Sequence, residues 1–69
     1  MKKHIEASRE AIKKAGGPHQ LSIKLSEKTG MDQHKLYGRV RMWRFKGVSI
    51  QYIRMVASIA RMPMTKLIP

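Results

Sequence analysis

The stretch HKLYGRVRMWRFKG, residues 34–47, decides how this chain is read. His34, Lys35, Arg39, Arg41, Arg44 and Lys46 are threaded through Leu36, Tyr37, Val40, Met42, Trp43 and Phe45, and no acid interrupts them. At about 100° per residue, Leu36, Val40 and Trp43 fall on one stripe of a helix, while His34, Tyr37, Gly38 and Arg41 fall on the other side. The spacing predicts a helix over residues 32–43, with Asp32 as its N-cap and its charge suited to that end of the dipole. Residues 40–45, VRMWRF, also alternate as an edge strand does, so the end of the element over residues 40–46 stays open between helix and strand.

Outward from this stretch, Gly16-Gly17-Pro18, Gly30, Gly47 and Pro63 cut the chain into short helical pieces. Ile5, Ser8, Ala11, Ile12 and Ala15 share one face of a helix over residues 4–15, which the two glycines end. Pro18 suits the first turn of a second helix, residues 18–29, with Leu21 and Leu25 inward. Ser49 is expected to cap a fourth helix over residues 50–60, apolar over most of its circumference at Ile50, Ile53, Val56, Ala57, Ile59 and Ala60. Pro63 opens a last short turn, in which Met64 and Leu67 can seal the base of the core. The expectation is one all-α, compact five-helix domain spanning residues 1–69.

Charge narrows the function classes. The chain carries +11. Residues 1–32 hold seven bases and all four acids, Glu6, Glu10, Glu27 and Asp32, whereas residues 33–69 hold eight bases and no acid. That asymmetry points to the second half as the contact surface for a polyanion. No cysteine is present, so disulfides and Cys-based zinc sites are excluded, which fits a reducing, intracellular setting. MKKHIEASRE at the start carries charge where a signal peptide needs an apolar region, and no apolar run approaches the ~18 residues of a membrane span. His4, His19 and His34 sit far apart without one-turn spacing and read as surface histidines rather than metal ligands. The six methionines read as core filler. The four carboxylates form no inward pair, and GGP is a helix break rather than a phosphate-cradling loop, so neither catalysis nor a cofactor is expected.

The pattern LSEKTGMDQHKL, residues 25–36, resembles the helix-turn-helix of the phage Cro/CI and XRE-type repressors. Its marks are Leu25, the small Ser26, Gly30 in the turn, Met31 after it and Leu36. AIKKAGG before the motif and IARMPMTKLIP after it are similar to small all-helical Cro and YdaS-like repressors. One departure is Arg39, where the family carries Ile, Val or Trp. Either Arg39 snorkels past the core edge, or Val40 and Trp43 take over the anchoring.

The resemblance implies a lambda-repressor-like fold whose third helix enters the major groove. It implies contact positions at Asp32, Gln33, His34, Tyr37, Gly38 and Arg41, four of which the angular reading places outward by itself. Gln33 then suits adenine, and Arg41 suits guanine or a phosphate. His34 and Tyr37 hydrogen-bond bases or phosphates, and Gly38 permits close approach. Lys35, Arg39, Arg44 and Lys46 clamp phosphates, and Gln20 near the start of the second helix contacts one. Trp43 belongs to the core stripe, while Phe45 stays open between core and dimer contact.

The implied protein is a phage or prophage Cro-like repressor in the bacterial cytoplasm that occludes a double-stranded DNA operator, as a weak homodimer or as a dimer formed on DNA. The fourth helix, Phe45 and the tail PMTKLIP are the segments open to that dimer. Three rivals remain: a small RNA-binding or nucleoid-type protein acting by charge alone, a membrane-active cationic protein, and a protein-interaction module that has lost DNA binding.

Overall fold

The computed structural model describes residues 3–68. Among them are four α-helices and two 3-10 turns, and no strand. The helices are α1, Lys3–Lys14; α2, Pro18–Thr29; α3, Gln33–Lys46; and α4, Ile53–Ala60. The 3-10 turns are Ile50–Tyr52, leading into α4, and Met64–Lys66 near the end. The expected fifth helix is therefore a single 3-10 turn.

Each helix end has a local cause. The Gly17 N–H donates to the Ile12 carbonyl at 2.9 Å and the Gly16 N–H to Lys13 at 3.1 Å, which closes α1 in a Schellman arrangement. The Lys24 ammonium adds a bond to the Ala15 carbonyl at 3.1 Å, a cation where that end of the dipole favours one. Gly30, left-handed at φ 74°, ends α2, and its N–H donates to the Ser26 carbonyl. The Asp32 carboxylate accepts the Lys35 N–H at 3.2 Å, so the expected N-cap is present.

α3 continues through Arg44, Phe45 and Lys46 as helix, which removes the edge-strand alternative and extends the element three residues past Trp43. An edge strand needs a partner strand, and none exists among the described residues. Gly47 ends α3 at φ 86° and donates to the Trp43 carbonyl at 2.9 Å. A Cβ there would meet the His4 ring at 2.7 Å, so only glycine lets α1 pass this corner.

The start of the fourth helix differs from expectation. Residues 50–52 form the tighter 3-10 turn, and α4 begins at Ile53. Ile50 is 79% exposed and lies outside the core, while Tyr52 is buried. The Ser49 side chain makes no capping bond; its Oγ instead accepts the Trp43 indole N–H at 3.2 Å. At the far end Arg61 takes the left-handed conformation that glycine usually supplies, and Met64 is exposed while Met62 and Leu67 are buried.

The core gathers Ala11, Ile12, Ala15, Leu21, Leu25, Leu36, Val40, Trp43, Tyr52, Val56, Ala60 and Leu67. Two polar residues, Ser8 and Ser22, are fully buried within it. The Ser8 hydroxyl donates to the His4 carbonyl at 2.8 Å and accepts the buried Val48 N–H at 3.0 Å. It therefore fastens α1 to the corner between α3 and α4. Among the described residues no buried side-chain polar atom lacks a partner.

Two substitutions test this architecture. Ser8→Ala leaves the Val48 N–H buried without an acceptor and is expected to cost about 1–3 kcal/mol. Trp43→Ala removes a nearly fully buried ring and is expected to cost about 3–5 kcal/mol. Thermal denaturation checks both, since each kcal/mol lowers the Tm of a domain this size by roughly 4–8 °C.

Candidate nucleic-acid interface

α3 is seated by Leu36, Val40 and Trp43, all buried. Val40 and Trp43 thus supply the anchoring, and Arg39 is exposed rather than tucked along the core. With the apolar stripe inward, the opposite face of α3 turns to solvent. His34, Gly38 and Arg41 are exposed on it, and Tyr37 is half-buried to one side.

The connection between α2 and α3 holds that face in place. The Ser26 hydroxyl donates to the Met31 carbonyl at 2.7 Å, and the Thr29 hydroxyl accepts the Met31 N–H at 3.2 Å. The fully buried serine of α2 is Ser22, not Ser26. Its hydroxyl donates to the His19 carbonyl at 2.6 Å and accepts the Gln33 amide N–H at 2.9 Å. Gln33 Nε2 also lies 3.4 Å from His19 Nδ1. Gln33 is consequently turned back toward α2, with its amide nitrogen engaged and its carbonyl oxygen left for an external donor.

His19 is a residue that the spacing argument overlooked. Its ring meets Tyr37 edge-on at 6.1 Å, and the Arg41 guanidinium lies 5.9 Å from the Tyr37 ring centre. His19, Tyr37 and Arg41 form a continuous ridge from the start of α2 across the middle of α3. The sequence signal was weak, because His19 sits fourteen residues before Gln33 and nothing local links them.

The charged residues divide between two flanks. At about 100° per residue, Lys35, Arg39 and Lys46 lie on one side of the outward stripe and Arg44 on the other. All four are exposed. Arg44 shares its flank with Arg9, Lys13, Gly17 and Pro18, around an open concavity of about 350 Å³. The Arg9 Nε–H donates to the Arg44 carbonyl at 2.8 Å, placing a cation at the C-terminal end of α3. Arg9 and Lys13 were not among the residues expected here, because they lie in the half of the chain that also carries the acids. Gln20 is exposed in the first turn of α2, its Cβ and Cγ beside Gly16, where an added Cβ would sit only 3.2 Å away. Among the described residues no base of α3 pairs with a carboxylate; the ion pair found is Lys14 with Glu10 on α1, at 3.7 Å.

No family model, curated protein or solved structure matches this chain. No helix among the described residues is long and apolar enough to cross a membrane. Among them, no three His, Cys, Asp or Glu side chains converge as metal ligands.

Gly38 lies in the interior of α3, and nothing in the domain comes within 4 Å of where its Cβ would be. Packing within the chain thus gives no reason for glycine. Gly38→Ala is expected to raise stability by up to about 1 kcal/mol, the helix-propensity difference, as an increase in Tm.

Proposed function

We propose that this chain is a sequence-specific double-stranded DNA-binding protein, a Cro-like helix-turn-helix transcriptional repressor. In this reading α2 and α3 are the two helices of the motif, and α3 lies in the major groove of a short operator. Binding denies that operator to polymerase. The protein acts in the cytoplasm of a bacterial host and is phage or prophage encoded, as the resemblance to Cro and YdaS-like repressors implies.

The observation that carries the proposal is the outward face of α3. It is exposed, acid-free, and backed by three buried anchors that keep it from rolling. Its cations stand on both flanks of the stripe, as phosphates stand on both sides of a groove about 12 Å wide. Arg41 and His34 point to base edges from the middle of that face. Lys35, Arg39 and Lys46 take the phosphates of one strand. Arg44, with Arg9, Lys13 and Gln20, takes those of the other. Gln33 offers its carbonyl oxygen to a base amino group while its nitrogen holds Ser22. Gly38 lets the helix backbone approach the base edges without an intervening side chain.

Dimerisation fits this reading in a limited form. In this reading two copies pair weakly, or only once placed on adjacent half-sites about one helical turn apart. Of the segments open to that contact, Ile68 at the tail and Met64 are exposed, while Pro69 lies outside the described residues.

Selection of bound sequences from a random duplex pool tests the proposal. A defined, near-palindromic winner that outcompetes random DNA is expected; equal retention of all sequences, or preference for RNA, points instead to a nucleoid-type or RNA-binding protein. On the selected duplex Arg41→Ala is expected to cost about 1–3 kcal/mol and to relax preference at one base pair. Gly38→Ala is expected to weaken the same binding while melting no lower than the unaltered protein. Titration at fixed salt checks both, because phosphate contacts make affinity strongly salt-dependent.

A further inference from the structure

Phe45 has no place in the core, and the DNA reading gave it no contact with DNA. The chain has four aromatic rings of the Phe, Tyr and Trp type. Tyr37, Trp43 and Tyr52 each meet another ring or cation within the domain. Phe45 is 66% exposed.

Its angular position is specific. At about 100° per residue, His34, Gly38, Arg41 and Phe45 fall within about 60° of one another, opposite Leu36, Val40 and Trp43. Phe45 therefore stands on the centre line of the outward face. It lies about 16 Å along the axis from His34, roughly five base-pair steps of about 3.4 Å each.

We infer that Phe45 is a specificity-determining residue at the far end of this face, contacting the C5-methyl group of a thymine in the major groove. The inference rests on the DNA-binding reading above. Three observations choose this occupant over another. The ring is set among Arg41, Arg44 and Lys46, with no acid after Asp32, so its surroundings favour a polyanion. A second copy of the same face would bring like charges together, each chain carrying +11. The thymine methyl is the apolar group that the major groove offers, and phenylalanine is among the side chains that pack on it. The neighbouring bases of α3 then meet phosphates while the ring sheds water against the methyl. This placement makes α3 lie along the groove over its whole length, rather than enter by its first turn alone.

The test replaces each thymine of the selected duplex in turn by deoxyuridine, which removes the methyl and leaves base pairing intact. Binding is measured by fluorescence anisotropy at fixed salt, with sedimentation and melting in parallel. The unaltered protein is expected to lose about fourfold in affinity at one thymine, the effect of one buried methyl-sized group. Phe45→Ala is expected to bind the thymine and uracil duplexes equally at that position while melting normally, since the ring is not packed in the core. If Phe45→Ala keeps the discrimination at every position, the inference is overturned. It is overturned equally if the selected duplex contains no A·T pair. Loss of a dimer in sedimentation, with discrimination unchanged, assigns Phe45 to self-association and also overturns it. Failure of the DNA-binding reading has a separate signature: the unaltered protein then prefers no duplex over random DNA. A selected duplex that wins, with Phe45→Ala still telling thymine from uracil at every position, removes only the role given to Phe45.

Discussion

One buried indole sets the roll of α3. The Trp43 ring is 3% exposed and donates its N–H to Ser49 just past the corner at Gly47. It packs against Tyr52, with ring centres 5.4 Å apart and planes tilted by 46°. The Tyr52 hydroxyl in turn lies 3.2 Å from the Met31 sulfur, at the other end of α3. Trp43, Tyr52 and Met31 thus brace the helix from its last turn to its entry. A helix held at both ends cannot rotate without opening the core, so the face it turns outward is fixed. Preorganisation of this kind removes part of the ordering cost when a partner binds.

The two buried serines complete the constraint. Each is satisfied on both sides, by donation to a backbone carbonyl of its own helix and by acceptance from elsewhere. Ser8 joins α1 to the corner that follows α3, and Ser22 joins α2 to the first residue of α3. A domain of this size has little apolar area with which to define a unique packing. Hydrogen bonds at two buried points specify register where hydrophobic contact alone would allow sliding, because a misplaced helix leaves a buried polar group without a partner.

The outward face inherits its character from this anchoring. Five bases of α3 share one element with its three core anchors, which answers how one segment can both hold a core and present charge. The cost is a muddled pattern. Met42 and Phe45 are apolar on the solvent side, and Arg39 stands beside the core stripe. Alternation at VRMWRF was legible for the same reason, because inward and outward apolar residues interleave at a period near two. The helix was decided by the seat its three anchors find against α1 and α2.

Much of the architecture could be read from local chemistry. The first two helices, the start of the third, the glycine ends, the Asp32 cap and the inward residues Leu21, Leu25, Leu36, Val40 and Trp43 follow from spacing and capping alone, while the run of α3 through Lys46 does not. So does the exposure of His34, Gly38 and Arg41, since the far side of an anchored helix has nowhere else to face. What escaped the sequence depends on partners distant along the chain. Ser49 resembles a cap until Trp43 claims its oxygen; Tyr52 looks like one aromatic among several until α3 covers it; Gln33 looks free until Ser22 and His19 hold its amide. Backbone conformation responds to neighbours a few residues away, and so the sequence determined the helices and their faces. Side-chain hydrogen bonds and ring contacts form between whichever groups packing brings within a few ångströms, so only the tertiary structure decided which polar side chains hold the domain together and which remain for a partner.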